Sequence, residues 1–452
     1  MTIRLRQAES ELGRAIFSLR QHAFASAAEI ATEVAGEFQA LEQVGAEGLC
    51  HALAASAFTQ QGAIEHAGRA LESAFSRARA IGDQELLVTC FEIDADRHSF
   101  AGRGDAAHQS IQRAAEIHQT RGNKAGIVRT RATMVEIMFM LGRAPTATRL
   151  LAGLDEAAQA LDGPVDDELV GRLIGAKACA FAHMNDPPRA LESYRAASQK
   201  LASSAVPSVV GRIAMNVAHY LGRRGEMARA VEVLGDGIAL LHRHRNATLE
   251  GKLCAAQAFF ALKTGQEGVA EEAAARALEL SDGDKNDQRR LAILELAIDV
   301  AETAGDQDRL TERRLALAEL YLAQGELDAA VDVLVADLSN ESADSGPVVS
   351  ALGDVLARQP LNTHPVDWFV ALLLKVAGAG RLDTAIQWLE ARLAMERGGD
   401  RAHLLAARAE FALADEDIAT ADSALFEAIH IGRLLGLEAR QLWIARHQAL
   451  LE

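Results

Sequence analysis

The residues able to do chemistry are few and scattered along this chain of 452 residues. Its four cysteines, Cys50, Cys90, Cys179 and Cys254, have no neighbour at the two- to four-residue spacing a thiolate zinc site needs. Each lies in an apolar helical segment and reads as a small buried hydrophobe. His242 and His244 stand two apart, so on a helix they point to different faces, whereas a metal pair needs three- or four-residue spacing. The phosphate loop GxxxxGK[ST], GxGxxG after a strand, HExxH and GxSxG are all missing. The expectation is no metal, no cofactor and no catalytic centre.

A basic series is more informative. Counting 13 residues back from Gly142, Asn185, Gly225 and Gly265 lands on Arg129, Arg172, Arg212 and Lys252. Asn216, His219 and Arg223 fall on the same helical face as Arg212. Two readings follow. The series is a solvated rail paired with nearby Glu and Asp, or it is a ladder that receives an acidic or carboxylate-bearing segment. Asn216 suits the second, because an amide can bond both the N–H and the C=O of an extended peptide.

Those residues must be held by helices. About 90 residues are Ala, only 8 are Pro, and aromatic residues make up 4%. That mixture favours helix throughout and a thin stack over one thick core. Apolar helices end in turn residues at Gly62, Gly104, Gly142, Asn185, Gly225, Gly265 and Gly305, a beat of about 40 residues. Pro164 and Pro207 fall at the start of the first helix of two units, and Pro145, Pro187 and Pro188 at the start of the second helix of two others. The fold expected is all-α: a right-handed superhelical solenoid of stacked antiparallel hairpins.

Around the turns the pattern resembles tetratricopeptide repeats. Leu317, Ala318, Tyr321, Gly325, Ala330 and Leu334 fit that family's alternation of small and large residues. So do Ala218 and Ala230 around Gly225, and Ala178, Ala190, Tyr194 and Ala197 around Asn185. Units of about 40 residues look like those of bacterial regulator sensor regions and kinesin light chains. The resemblance implies that the basic series faces a concave groove. It partly resembles the carboxylate clamp of co-chaperone repeats, but Gly175, Cys179 and Ala256 stand where that clamp has Lys, Asn and Arg. The Arg-x4–6-His pair of HEPN-type helical ribonucleases has its nearest strings at Arg103–His108 and Arg113–His118. Neither Arg is followed by the Asn, Asp or His common in that motif.

Along the chain we expect a capping hairpin at 1–46, repeats over 47–338, with a faster beat after Gly305, a polar linker at 339–346, and helical repeats with a capping helix (about 437–451) over 347–452. Trp368, Trp388 and Trp443 all lie in this last part. The net charge of −17 argues against direct nucleic-acid binding. Residues 101–150 carry 8 basic and 3 acidic groups, and 301–350 carry 3 and 11. No apolar run is long enough for a membrane span, and isolated cysteines suit a reducing cytoplasm. Arg outnumbers Lys 39 to 7, which fits a GC-rich bacterial genome.

The function expected is a non-enzymatic scaffold or adaptor that holds a protein or peptide segment through Arg129, Arg172, Arg212, Asn216, His219, Arg223 and Lys252. The alternative is a sensory regulator that binds a signalling peptide or small ligand and controls a partner. Self-assembly through exposed stacking ends stays open. On the scaffold reading, an Arg212→Glu/Lys252→Glu variant loses binding without unfolding.

Overall fold

The computed structural model describes residues 2–159, 161, 166–202, 208–244, 246–281, 287–338, 346–358 and 365–434. The described residues form helices and short turns, with no strand among them. They divide into two compact units, Met1–Lys285 and Asn286–Glu452. The division falls between two helices of the repeat region, ahead of the polar 339–346 segment.

Unit 1 contains α1 (Thr2–Arg20), α2 (Phe24–Ala40), α3 (Val44–Gln60), α4 (Ile64–Ile81), α5 (Gln84–Phe100), α6 (Gly104–Thr120) and α7 (Lys124–Met140). It continues with α8 (Ala144–Gln159), α9 (Asp167–His183), α10 (Pro187–Leu201), α11 (Ser208–Arg223), α12 (Met227–Arg243), α13 (Ala247–Lys263) and α14 (Glu267–Ser281). Odd-numbered helices are the first members of hairpins and even-numbered helices the second.

The local chemistry that cuts the chain into these pieces is a 20-residue beat. His22, Glu42, Gly62, Gly82, Gly102, Gly122 and Gly142 all take positive φ, between 57° and 77°. Each ends a helix in a left-handed residue, and the next amide reaches back five residues, as Ala63 N does to the Phe58 carbonyl at 2.9 Å. Helix starts are capped by side chains where the sequence supplies them. Asp83, Asn123, Asp166, Asp186 and Asn246 each accept from amides two or three residues on. Pro145, Pro187 and Pro188 lie in first turns, as expected, while Pro164 and Pro207 fall outside the described residues.

The turn of the third hairpin is corrected. It lies at Gly102, not at Gly104, which regularises the first two repeat steps to 40 residues each. Gly104 opens α6 instead, where an added Cβ would stand 2.6 Å from Leu141 Cδ2. Its missing side chain serves close packing rather than a turn.

Small residues sit where the helices of each hairpin cross. Ala178, Ala190, Ala218 and Ala230 are fully buried, with Tyr194 filling the groove between neighbouring hairpins. One continuous apolar core runs from Phe100 on α5 to Leu253 on α13.

Unit 2 contains α15 (Asp287–Ala304), α16 (Gln307–Gln324), α17 (Leu327–Asp337), α18 (Gly346–Arg358), α19 (Val366–Gly378), α20 (Leu382–Leu393), α21 (Gly398–Ala414) and α22 (Ile418–Leu434). The step from Gly305 to Gly325 is the same 20-residue helix step found in unit 1, so the beat does not change there. Gly380 and Glu416 supply the later left-handed turns. Ala318, Ala330 and Leu334 are buried in a core that continues to Ala428, and Trp368 and Trp388 pack against it. The polar segment 339–345, the loop 359–364 and the capping segment 437–451 with Trp443 lie outside the described residues.

Candidate functional site

The basic series meets its partners inside unit 1. The first helices of the sixth and seventh hairpins, α11 and α13, curl back onto those of the second, third and fourth. The result is a polar seam between helices far apart in the sequence.

At one end of the seam His22 lies against His244, with ring centroids 4.1 Å apart in an edge-on arrangement. Next, Gln60 Nε2 donates to Ser208 Oγ at 3.2 Å, and Asn246 Nδ2 donates to Gln60 Oε1 at 3.4 Å. The Thr248 hydroxyl donates to the Gln61 carbonyl at 2.9 Å. A Cβ on Gly62 would clash with Thr248 at 2.7 Å, so glycine there serves both the turn and the closure. Lys252 Nζ donates to the Phe100 carbonyl at 2.5 Å and lies 5.0 Å from the centre of that ring. Gln60, Ser208 and Asn246 are buried, so these hydrogen bonds are obligatory once the face closes.

The charged part lies deeper. Arg212 reaches Asp96 on α5 at 2.9 Å and Glu136 on α7 at 3.3 Å. Arg172 reaches the same Glu136 at 3.5 Å and Glu168 at 3.2 Å, and it donates to Thr133 Oγ1 at 3.3 Å. Asn216 Nδ2 donates to the Glu136 carbonyl, and the Tyr220 hydroxyl donates to the Phe139 carbonyl, both at 3.2 Å. Glu136 has no exposed side-chain surface. Burial pushes its carboxyl up, and Arg172 and Arg212 oppose that shift. Burial also works against the Arg172 charge, but Glu136, Glu168 and Asp96 raise its pKa overall. Two guanidinium groups thus face three carboxylates, which leaves no spare positive charge for a ligand in the closed state.

The seven predicted residues therefore divide. Arg172, Arg212, Asn216 and Lys252 are engaged within the chain. Arg129 is half-exposed and pairs with Asp166 at 3.2 Å, a surface pair that contributes about 0–1 kcal/mol. His219 and Arg223 are exposed, on the stripe of α11 that carries Arg212 and Asn216. One repeat later, Phe259 and Lys263 on α13 occupy the same two positions and are also exposed. Lys263 Nζ lies 5.8 Å from the Phe259 ring centre. Arg223 and Lys263 form no ion pair among the described residues. Burial and the Arg223 charge lower the pKa of His219.

The sequence reading missed Asp96, Glu136, Phe100, Gln60 and Ser208, whose partners lie 36 to 186 residues away. Glu136 carried one signal, a lone carboxylate in the apolar run MVEIMFM. An acid buried there requires a cation from elsewhere in the fold.

The remaining candidates for chemistry are structural. All four cysteines are buried and free. Burial pushes the thiols of Cys50, Cys90 and Cys254 up to about 12, and that of Cys179 upward as well. His242 Nδ1 meets Glu250 at 3.1 Å, away from His244. Arg113 pairs with Glu116 at 3.4 Å, while His118 is buried 3.8 Å from Glu92, so the two do not act on one another. No group of three or more metal-ligating side chains occurs among the described residues. None of the described helices is long and apolar enough to cross a membrane.

The fold can now be set against known proteins. The described residues stack as consecutive antiparallel helical hairpins. No family model matches the chain, and no curated protein matches it. Among solved structures it is similar to a Rap protein complexed with competence and sporulation factor. The identity is 12% over 78% of this chain and 98% of that one, with a TM-score of 0.47. It is also similar to a STAND signal transduction ATPase with a tetratricopeptide repeat sensor from Pyrococcus horikoshii. There the identity is 11% over 87% of this chain and 54% of that one, with a TM-score of 0.41. Aspartyl phosphate phosphatase F from Bacillus subtilis is similar at 12% identity over 75% of this chain and 95% of that one, with a TM-score of 0.35.

The histidine pair gives the closure a pH dependence. Burial and the neighbouring His244 lower His22 to about 4, and burial lowers His244 despite its hydrogen bond to the Ala202 main chain. The opened or unfolded chain therefore binds protons more readily than the closed one. The stability contributed by the neutral pair is fully present above about pH 6.5 and is lost as pH falls towards 4. We expect the urea midpoint of the native protein to fall more steeply over that window than that of His22→Phe, which keeps an edge-on ring without a titrating nitrogen. His51, His98, His108 and His219, also lowered, titrate in both proteins and cancel. Parallel pH profiles would show that the pair does not stabilise the closure.

Proposed function

We propose that this protein is a non-enzymatic interaction scaffold of the cytoplasm that holds an acidic segment of a partner protein against the rim of its concave face. The observation carrying this reading is the exposed set His219, Arg223, Phe259 and Lys263, in which both cations lack ion pairs among the described residues. The protein as a whole has a net charge of −17. An unpaired basic and aromatic stripe on such a chain is a local exception that favours carboxylates. Phe259 adds apolar contact for the backbone between them. Of the predicted site, His219 and Arg223 contact the partner directly. Arg129 adds a solvated charge, and Arg172, Arg212, Asn216 and Lys252 shape the face behind them.

A fluorescein-labelled Glu-rich peptide, followed by anisotropy against a Lys-rich control of equal length, tests this reading. The native protein is expected to prefer the Glu-rich probe. Arg223→Glu/Lys263→Glu is expected to weaken that binding at least tenfold with an unchanged circular dichroism spectrum. Binding should strengthen as pH falls below the ordinary imidazole range, because protonated His219 adds a third cation. Equal affinities for the native and charge-reversed proteins would remove the rim from consideration.

A further inference from the structure

The same stripe of α11 and α13 is not empty where it runs inward. Four consecutive groups hold pieces of α5 and α7 as they would hold an acidic peptide. Arg212 takes the Asp96 carboxylate at 2.9 Å. Asn216 takes the Glu136 carbonyl at 3.2 Å and Tyr220 the Phe139 carbonyl at 3.2 Å. Lys252 takes the Phe100 carbonyl at 2.5 Å, under the Phe100 ring. Three of these acceptors are main-chain carbonyls and the fourth is a carboxylate, which are the groups an acidic segment in extended conformation presents.

We infer that α5 and α7 serve as an internal stand-in for an acidic ligand, so that the concave face of unit 1 closes by a releasable, self-occupying seam. This rests on the acid-binding reading of the α11 stripe and adds its regulation.

The composition of the seam favours release. Its hydrogen bonds and ion pairs can exchange for water or for a competing carboxylate, although Phe100, Phe139 and Tyr220 also belong to the apolar core. Satisfaction is also incomplete. Glu136 Oε1 and Arg212 Nε are buried without a hydrogen-bond partner, so the closed state is imperfectly paired at its centre. An apolar seam of equal extent would offer a ligand nothing to compete for. Here each contact broken by opening exposes a donor that a Glu-rich segment can satisfy. The acidic partner captured at the rim (His219, Arg223, Phe259, Lys263) would next reach Tyr220, Asn216 and Arg212 along one helix face.

The test measures the distance across the seam in the full-length protein. Spin labels are placed at Gln61→Cys and Ala247→Cys, both exposed, while the four native cysteines are buried and escape labelling. In the native background one narrow, short-distance population is expected. Asp96→Asn with Lys252→Met should add a second, longer-distance population, and a Glu-rich peptide should populate it in either background. A distribution unchanged by both the substitutions and the peptide would overturn the proposal. So would one lengthened by the substitutions but indifferent to the peptide, because the seam would then be a plain structural contact. The outcome is separable from the rim reading, since Arg223→Glu/Lys263→Glu leaves the seam residues untouched.

Discussion

Arg212→Glu is expected to lower the unfolding free energy of unit 1 by about 3–5 kcal/mol, the usual cost of breaking a buried ion pair from one side. In the native protein Arg212, about one-tenth exposed, faces Asp96 at 2.9 Å and the fully buried Glu136 at 3.3 Å. Reversal puts a third carboxylate against those two, with only Arg172 left to answer them. Urea titration followed by circular dichroism measures the loss. Arg223→Glu, on the same helix but exposed and outside the seam, serves as the control and should shift the midpoint little. This reverses the sequence-based expectation that Arg212→Glu/Lys252→Glu would spare folding. The physical reason is that a basic residue on a concave face reads the same whether its counter-charge comes from a ligand or from a distant part of the chain. A titration curve for Arg212→Glu that overlays the native one would return the residue to the solvated rail.

The second large effect is steric. Gly175 lies on α9, at the position where the carboxylate clamp that the sequence partly resembles has Lys. A Cβ added there would stand 2.3 Å from Ile213 Cδ1 and 2.9 Å from its Cγ1. Ile213 is a β-branched side chain only 1% exposed, so it has nowhere to turn. Gly175→Val is therefore expected to destabilise unit 1 by about 1–3 kcal/mol through overpacking, despite the better helix propensity of valine. It should also push α11 away from α9, which carries Arg212 and Asn216 off their partners. A lowered thermal midpoint together with faster hydrogen exchange in α11 is the expected pair of results. A midpoint equal to or above the native value would mean that α9 and α11 are further apart than described. The same close approach explains why Lys is not found at this position. The Ile213 side chain on α11 occupies the space a long side chain would need.

How much of this was legible in the sequence follows from the range of each interaction. The helices and their turns are set by residues within one turn of each other, so Gly62, Asn185 and Gly225 announced themselves, as did Pro187 and the small residues Ala178 and Ala218. Gly104 misled because a glycine that opens a helix for packing looks like one that ends a helix by a left-handed turn. The beat after Gly305 misled because turns between hairpins, such as Gly82 and Gly122, lie half a repeat from the turns within them. The site was half legible. The face shared by Arg212, Asn216, His219 and Arg223 follows from helical periodicity. Which of those groups is occupied does not, because Asp96, Glu136 and Phe100 are brought close by the way the helices of unit 1 fold back on one another. That folding back depends on side-chain volumes summed over several hairpins, and no short window of sequence contains it.

The central claim is that unit 1 closes on itself through the basic stripe. A double-mutant cycle between Asp96 and Arg212, two residues with no local reason to interact, tests it most directly. Unfolding free energies are measured for the native protein, Asp96→Asn, Arg212→Gln and the double variant. The closed seam predicts a coupling of about 0.5–3 kcal/mol, with the double variant less destabilised than the sum of the singles. Strict additivity of the two single costs would contradict the closure.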